Sequence, residues 1–74
     1  MIEIIVNGRK IEFDRDEPGF LSYEEVCVLA GVNPSHKPSM TCRSPLRHGH
    51  IISPGGIGPL ENGAIYNCAV TGDA

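Results

Sequence analysis

Apolar residues fall along this chain in two rhythms. Residues 2–6, IEIIV, are almost all β-branched aliphatics, and residues 10–13, KIEF, alternate polar with apolar. A period of two puts every second side chain on one face of a strand. Between the two runs stands Asn7-Gly8, a pair suited to a two-residue turn that needs positive φ at both central positions. The pattern predicts an opening β-hairpin with Ile2, Ile4, Val6, Ile11 and Phe13 inward and Glu3, Ile5, Lys10 and Glu12 outward. After the turn-rich break DRDEPG the rhythm changes. In SYEEVCVLAG, Tyr23, Val26, Cys27 and Ala30 recur at the spacing of one helical face. Ser22 and Glu25 fit a capping box, in which each side chain accepts a backbone N–H of the other residue, and Gly31 supplies a left-handed stop.

The second half of the chain is less regular. Six prolines and nine glycines overall are concentrated in NPSHKPS and SPLRHGHIISPGGIGPLENG. Proline has no N–H to donate and glycine costs entropy in a ladder, so long strands are not expected there. Short strands are expected at residues 40–43 and near Ile51 and Ile52. Asn62-Gly63 marks a turn into a last strand over residues 64–70, with Tyr66, Cys68 and Val70 on one face and Ile65, Asn67 and Ala69 on the other. Phe13, Val26 and Tyr66 should meet between helix and sheet. Hairpin, helix, short strand, irregular crossing segment and last strand together predict an α+β fold of the ubiquitin-like β-grasp kind. In it a mixed sheet of four to five strands carries one helix packed across it, and the last strand lies in the middle, parallel to the first. Residues 1–70 form the domain and residues 71–74 a flexible C-terminal tail.

Composition narrows the function classes. With 74 residues, 41% hydrophobic and 20% charged, the chain makes one small globular domain with a modest core. A formal net charge of -3 argues against nucleic acid or an anionic membrane as partner, since both reward a basic face. The opening MIEIIVNG has neither a basic leader nor a long apolar run, which points to the cytoplasm. The three cysteines, Cys27, Cys42 and Cys68, stand fifteen and twenty-six residues apart and match no disulfide framework or paired-thiol motif. They read as small buried hydrophobes. Thiolate and imidazole from Cys42, His48 and His50 could begin a zinc site, with a fourth ligand from His36 or a distant cysteine. Without a C-x-x-C pair the histidines read better as exposed loop residues, so no metal and no cofactor is expected. Catalysis by Cys42 with His48 or His50 as base lacks an orienting group and an oxyanion motif. Three distant cysteines are too few for an iron–sulfur centre.

IIVNGRKIEFD, LSYEEVCVLAGV and LENGAIYNCAVTG resemble the bacterial multiubiquitin family and the single ubiquitin-like modifiers of bacterial ubiquitination-like operons. The resemblance covers both ends and the helix and carries little of the proline-rich middle. It implies a protein that is itself a substrate, not an enzyme. Its C-terminal carboxylate is adenylated by an activating enzyme of the ubiquitin type, passed to a thioester and conjugated to a target protein. It further implies a conjugating enzyme and a JAB-type deconjugating protease as partners. The conjugation and processing residues would be Gly72, Asp73 and Ala74. Residues 71–74, fully extended at ~3.3 Å each, reach roughly 13 Å beyond the fold. Gly72 and Ala74 are thin enough for a narrow channel, and Gly72 adds backbone freedom. Such modifiers usually end in Gly-Gly, whereas this chain ends Gly72-Asp73-Ala74. A carboxylate at Asp73 beside the phosphates of ATP calls for a basic residue in the activating enzyme.

The alternation of the strands also nominates a partner-binding surface. Ile5, Ile65 and Ala69 should point away from the helix, with Thr41 and Arg43 beside them, and contiguous apolar surface commonly marks a protein interface. A reading from a different class takes the same face as the whole function, that of a non-conjugated β-grasp interaction domain.

Overall fold

A computed structural model of the chain describes residues 1–70. Strand β1 (Ile2–Val6) pairs antiparallel with β2 (Arg9–Phe13), and Ile4 stands opposite Ile11 as the alternation requires. Asn7 and Gly8 take φ of 51° and 82°, the left-handed pair that a two-residue hairpin turn demands. Ile2, Ile4 and Val6 are buried. Ile11 and Phe13 are only partly so. Phe13 therefore does not join Val26 and Tyr66 at the centre. Its strand forms one margin of the sheet, where the helix covers it on one side only.

Helix α1 (Tyr23–Ala30) has the ends its sequence marks. The Glu25 N–H donates to Ser22 Oγ at 3.0 Å, and the Ser22 N–H donates to Glu25 Oε1 at 2.7 Å. Gly31 turns left-handed at φ 74° and closes the helix through its N–H to the Val28 carbonyl at 3.0 Å. Tyr23, Val26 and Cys27 are buried against the sheet, while Ala30 is half-buried.

The main sheet has five strands in the order β2-β1-β7-β4-β5, formed with β4 (Ser39–Ser44), β5 (Arg47–Ile51) and β7 (Ile65–Ala69). β7 runs parallel to β1 and antiparallel to β4, so the sheet is mixed and its last strand is its centre. Tyr66 and Cys68 face the helix with Ile4, Val6, Met40 and Cys42. Val70 does not continue that face: the strand ends at Ala69 and Val70 is 52% exposed. The turn before β7 is tied to β1, since Gly63, at φ 85°, donates its N–H to the Glu3 carbonyl at 3.0 Å.

The proline- and glycine-rich half is more ordered than its composition suggests. Short strands β3 (Gly19–Ser22) and β6 (Ile57–Leu60) form a separate antiparallel ribbon, with Phe20 opposite Pro59. Pro59 is tolerated because its carbonyl turns away from β3 to accept the Tyr66 hydroxyl at 2.6 Å. Its missing N–H lies on that same side, where no ladder donor is needed. The strand expected near Ile51 and Ile52 is instead β5, which carries His48 and His50 exposed on the sheet's outer edge. Ile52 lies beyond it and is buried, its N–H donating to the Met40 carbonyl at 3.0 Å. The chain is thus an α+β protein, one helix on a mixed five-stranded sheet, among the described residues.

Candidate protein-binding face and the base of the tail

The face of the main sheet opposite α1 assembles the five nominated surface residues. Ile5 of β1 stands beside Ile65 of β7, and Ile65 stands opposite Arg43 of β4. Directly paired residues share a face, so these three form one row across the middle of the sheet. Thr41 lies opposite Asn67, and Ser39 opposite Ala69, in the next two rows. Thr41, Arg43 and Ala69 are exposed. Ile5 and Ile65 are half-buried. Lys10, paired with Ile5, closes the row at the other margin and holds its Nζ 3.5 Å from the Glu3 carboxylate. The result is a small apolar strip between a lysine and an arginine.

Residues 71–74 lie outside the described residues, so Gly72, Asp73 and Ala74 have no structural description. The strand that leads to them does. Asn7, read from the sequence as a turn residue alone, also clamps the end of β7. Its backbone N–H donates to the Tyr66 carbonyl at 3.0 Å. Its side chain then accepts the Cys68 N–H at 2.7 Å and donates Nδ2 to the Cys68 carbonyl at 2.8 Å. The amide imitates one more residue of β1 and lengthens the parallel pairing to Cys68. Of the residues that favour a left-handed turn, only asparagine offers both a donor and an acceptor here. That choice over glycine or aspartate is the one signal a sequence reader could have used. Asn7→Gly keeps the turn and removes the clamp. The Cys68 amide should then exchange with solvent at least about ten-fold faster for a lost pair of bonds worth ~1 kcal/mol or more each. Unchanged protection of that amide would show that β7 is held by its backbone ladder alone.

The other candidate chemistry is dispersed. Cys27, Cys42 and Cys68 are free thiols and all buried. Burial pushes the Cys42 thiol up, against reactivity as a nucleophile. Burial, then the neighbouring Cys27, raises Cys68 to about 11. His48 and His50 are exposed on β5, where His50 stands opposite Cys42, whose Sγ is turned to the Arg43 carbonyl at 3.9 Å, and His36 lies in an exposed 3₁₀ turn, Pro34–His36. Among the described residues no three His, Cys, Asp or Glu side chains converge on one point. The sequence reading also passed over Glu61. It is 8% exposed, accepts the Ser44 hydroxyl and lies 3.5 Å from Arg47 Nε, tying the approach to β7 onto β4 and β5.

These features define a class: a small α+β protein with one α-helix on a mixed five-stranded sheet whose other face carries the Ile5–Ile65 strip. Comparison with known protein families, curated proteins and solved structures finds no match to this chain.

Proposed function

We propose that this protein is a ubiquitin-like modifier on a β-grasp fold. The observation that carries the reading is the position of β7, which is the central strand, parallel to β1 and clamped at its end by Asn7. A modifier needs its tail launched from a firm base beside a surface that a large enzyme can grip. Ile5, Ile65 and Arg43 offer that surface on the same and neighbouring strands. The resemblance of both chain ends and the helix to bacterial ubiquitin-like modifiers supports the same reading.

The chemistry belongs to the C-terminal carboxylate. It attacks the α-phosphate of ATP and releases pyrophosphate. A cysteine thiolate of the activating enzyme then displaces AMP to give a thioester, and an amine of the target displaces the thiol to give an amide. The domain supplies no group to these steps. Its role is to be held by the sheet face while the tail enters the enzyme.

The test is incubation with an adenylating enzyme of the ubiquitin-activating type, ATP and magnesium, followed by intact mass measurement. An adenylate and a thioester are expected. Deleting Asp73 and Ala74 should abolish both while leaving the thermal melt unchanged, and Asp73→Arg should slow adenylation by setting a cation against the basic residue that receives Asp73. Binding through the sheet face with no adenylate would make the protein a non-conjugated interaction domain.

A further inference from the structure

The packing of α1 on the central strand brings two cysteines together. Cys27 of the helix and Cys68 of β7 are free thiols inside the core, at 0% and 3% exposure. Cα atoms of α1 and β7 approach within 8 Å, close to the span of about 4.4–6.8 Å that a disulfide bridges. The Cys27 and Cys68 side chains hydrogen-bond to each other. Cys42 stands apart from this pair. In the pairing of β4 with β7 it lies opposite Tyr66, whereas Met40 lies opposite Cys68, and its thiol rests against the Tyr66 hydroxyl. Two of the three cysteines therefore meet, at a spacing that matches no thiol motif in the sequence.

A buried thiol reacts only if an oxidant can reach it. Burial and the neighbouring Cys27 hold the Cys68 thiol at about 11, so little thiolate forms while the fold stays closed. The end of β7 supplies the route. Cys68 is the last residue but one of that strand, its neighbours Asn67 and Ala69 are exposed, and so is Val70. On the β1 side its backbone is held through the Asn7 side chain, by the bonds at 2.7 Å and 2.8 Å. Opening of a strand end is a local unfolding of low cost, and here it exposes Cys68 before Cys27, which lies within the helix.

We propose that Cys27 and Cys68 are an oxidative modification site, which hydrogen peroxide converts to a reversible disulfide joining α1 to β7 at a rate set by the Asn7 clamp. On opening, the Cys68 thiol gives its proton to water and the thiolate attacks a peroxide oxygen. The O–O bond breaks, the leaving hydroxide takes up a proton to become water, and Cys68 is left as a sulfenic acid. On closing, the Cys27 sulfur attacks the Cys68 sulfur. The S–S bond forms, the S–O bond breaks, and hydroxide departs as water with the Cys27 proton. Two thiols are thereby oxidised to one disulfide and one hydrogen peroxide is reduced to two waters. A dithiol reductant reverses the bond by exchange. The site does not depend on the modifier reading, since residues 71–74 take no part.

The experiment treats the full chain with hydrogen peroxide in native buffer, alkylates it with iodoacetamide in denaturant, and measures intact mass. A single alkylated cysteine is expected, with Cys27 and Cys68 joined after proteolysis, and dithiothreitol should restore all three thiols to alkylation. Cys42→Ser should cross-link as fast as the unmodified chain. Cys27→Ser should stop at a Cys68 sulfenic acid that dimedone captures, and Cys68→Ser should leave Cys27 unoxidised on the same timescale. Asn7→Gly should cross-link at least about ten-fold faster, in step with the faster exchange of the Cys68 amide. Thermal melts report whether each variant remains folded, and the peptide map of the unmodified chain gives an answer that needs no variant. No cross-link, a cross-link that includes Cys42, a disulfide between two chains, or oxidation of Cys27 ahead of Cys68 would overturn the proposal. So would an unchanged rate in Asn7→Gly, because oxidation would then not pass through the end of β7.

Discussion

Gly58→Ala is expected to leave the protein largely unfolded at room temperature. A Cβ at this position would stand 2.6 Å from Ile52 Cδ1 and 2.9 Å from Tyr66 Cε2, and would run into the Tyr66 hydroxyl. Both neighbours are core residues, with Tyr66 fully buried. The ring cannot move aside without breaking its bond to the Pro59 carbonyl. Overpacking a core costs ~1–3 kcal/mol, and a buried carbonyl left without its donor costs ~1–3 kcal/mol more. A core of this size supplies only ~3–5 kcal/mol of net stability. The two costs together consume most or all of it. Urea titration followed by circular dichroism measures the loss, and Gly49→Ala is the control. A Cβ on Gly49 meets nothing nearer than Arg43 Cβ at 3.9 Å, so its midpoint should stay near that of the unmodified protein. A Gly58→Ala protein that melts like the control would mean that β6 is not seated on Tyr66.

Ile65→Glu should do the opposite, sparing the fold and removing binding. Ile65 is half-buried on the face away from α1, between Ile5 and Arg43. A glutamate there has Arg43 as a cross-strand partner, and its carboxylate stays in water, so the melt should shift by only a few degrees. A partner seated on the strip would have to bury that charge. Central interface residues of this kind cost ~2 kcal/mol or more when replaced, roughly thirty-fold in affinity. Titration calorimetry with the activating enzyme measures it. An unfolded variant would place Ile65 in the core, and unchanged affinity would leave the open face without the role proposed for it.

The parts of this fold that were legible in the sequence are those whose cause lies within a few residues. Asn7-Gly8, the Ser22 and Glu25 box and the Gly31 stop each act over at most four positions, and each stands in the structure where its sequence puts it. The alternation along β1 and β7 also sorted Ile4, Val6, Tyr66 and Cys68 from Ile5, Ile65, Asn67 and Ala69, because a period of two admits only two faces. The ribbon of β3 and β6 was not legible. Its strands are four residues long, contain proline and glycine, and exist only because residues nearly forty positions apart pair.

Local sequence, then, determined the hairpin, the helix with both its ends, and the two faces of the central strands, since backbone sterics and side-chain period need no distant partner. Tertiary structure alone decided the rest. Asn7 became a clamp on β7 because the turn fell beside Cys68, sixty-one residues away. Gly58 came to leave no room for a Cβ because Tyr66 and Ile52 lie against it, and Phe13 moved from the core to its margin because β2 is an outer strand. His48 and His50 came to lie on an exposed edge by the same placement of β5. Each of these outcomes depends on which elements become neighbours, and that is set by how the whole chain closes its small core rather than by the residues on either side.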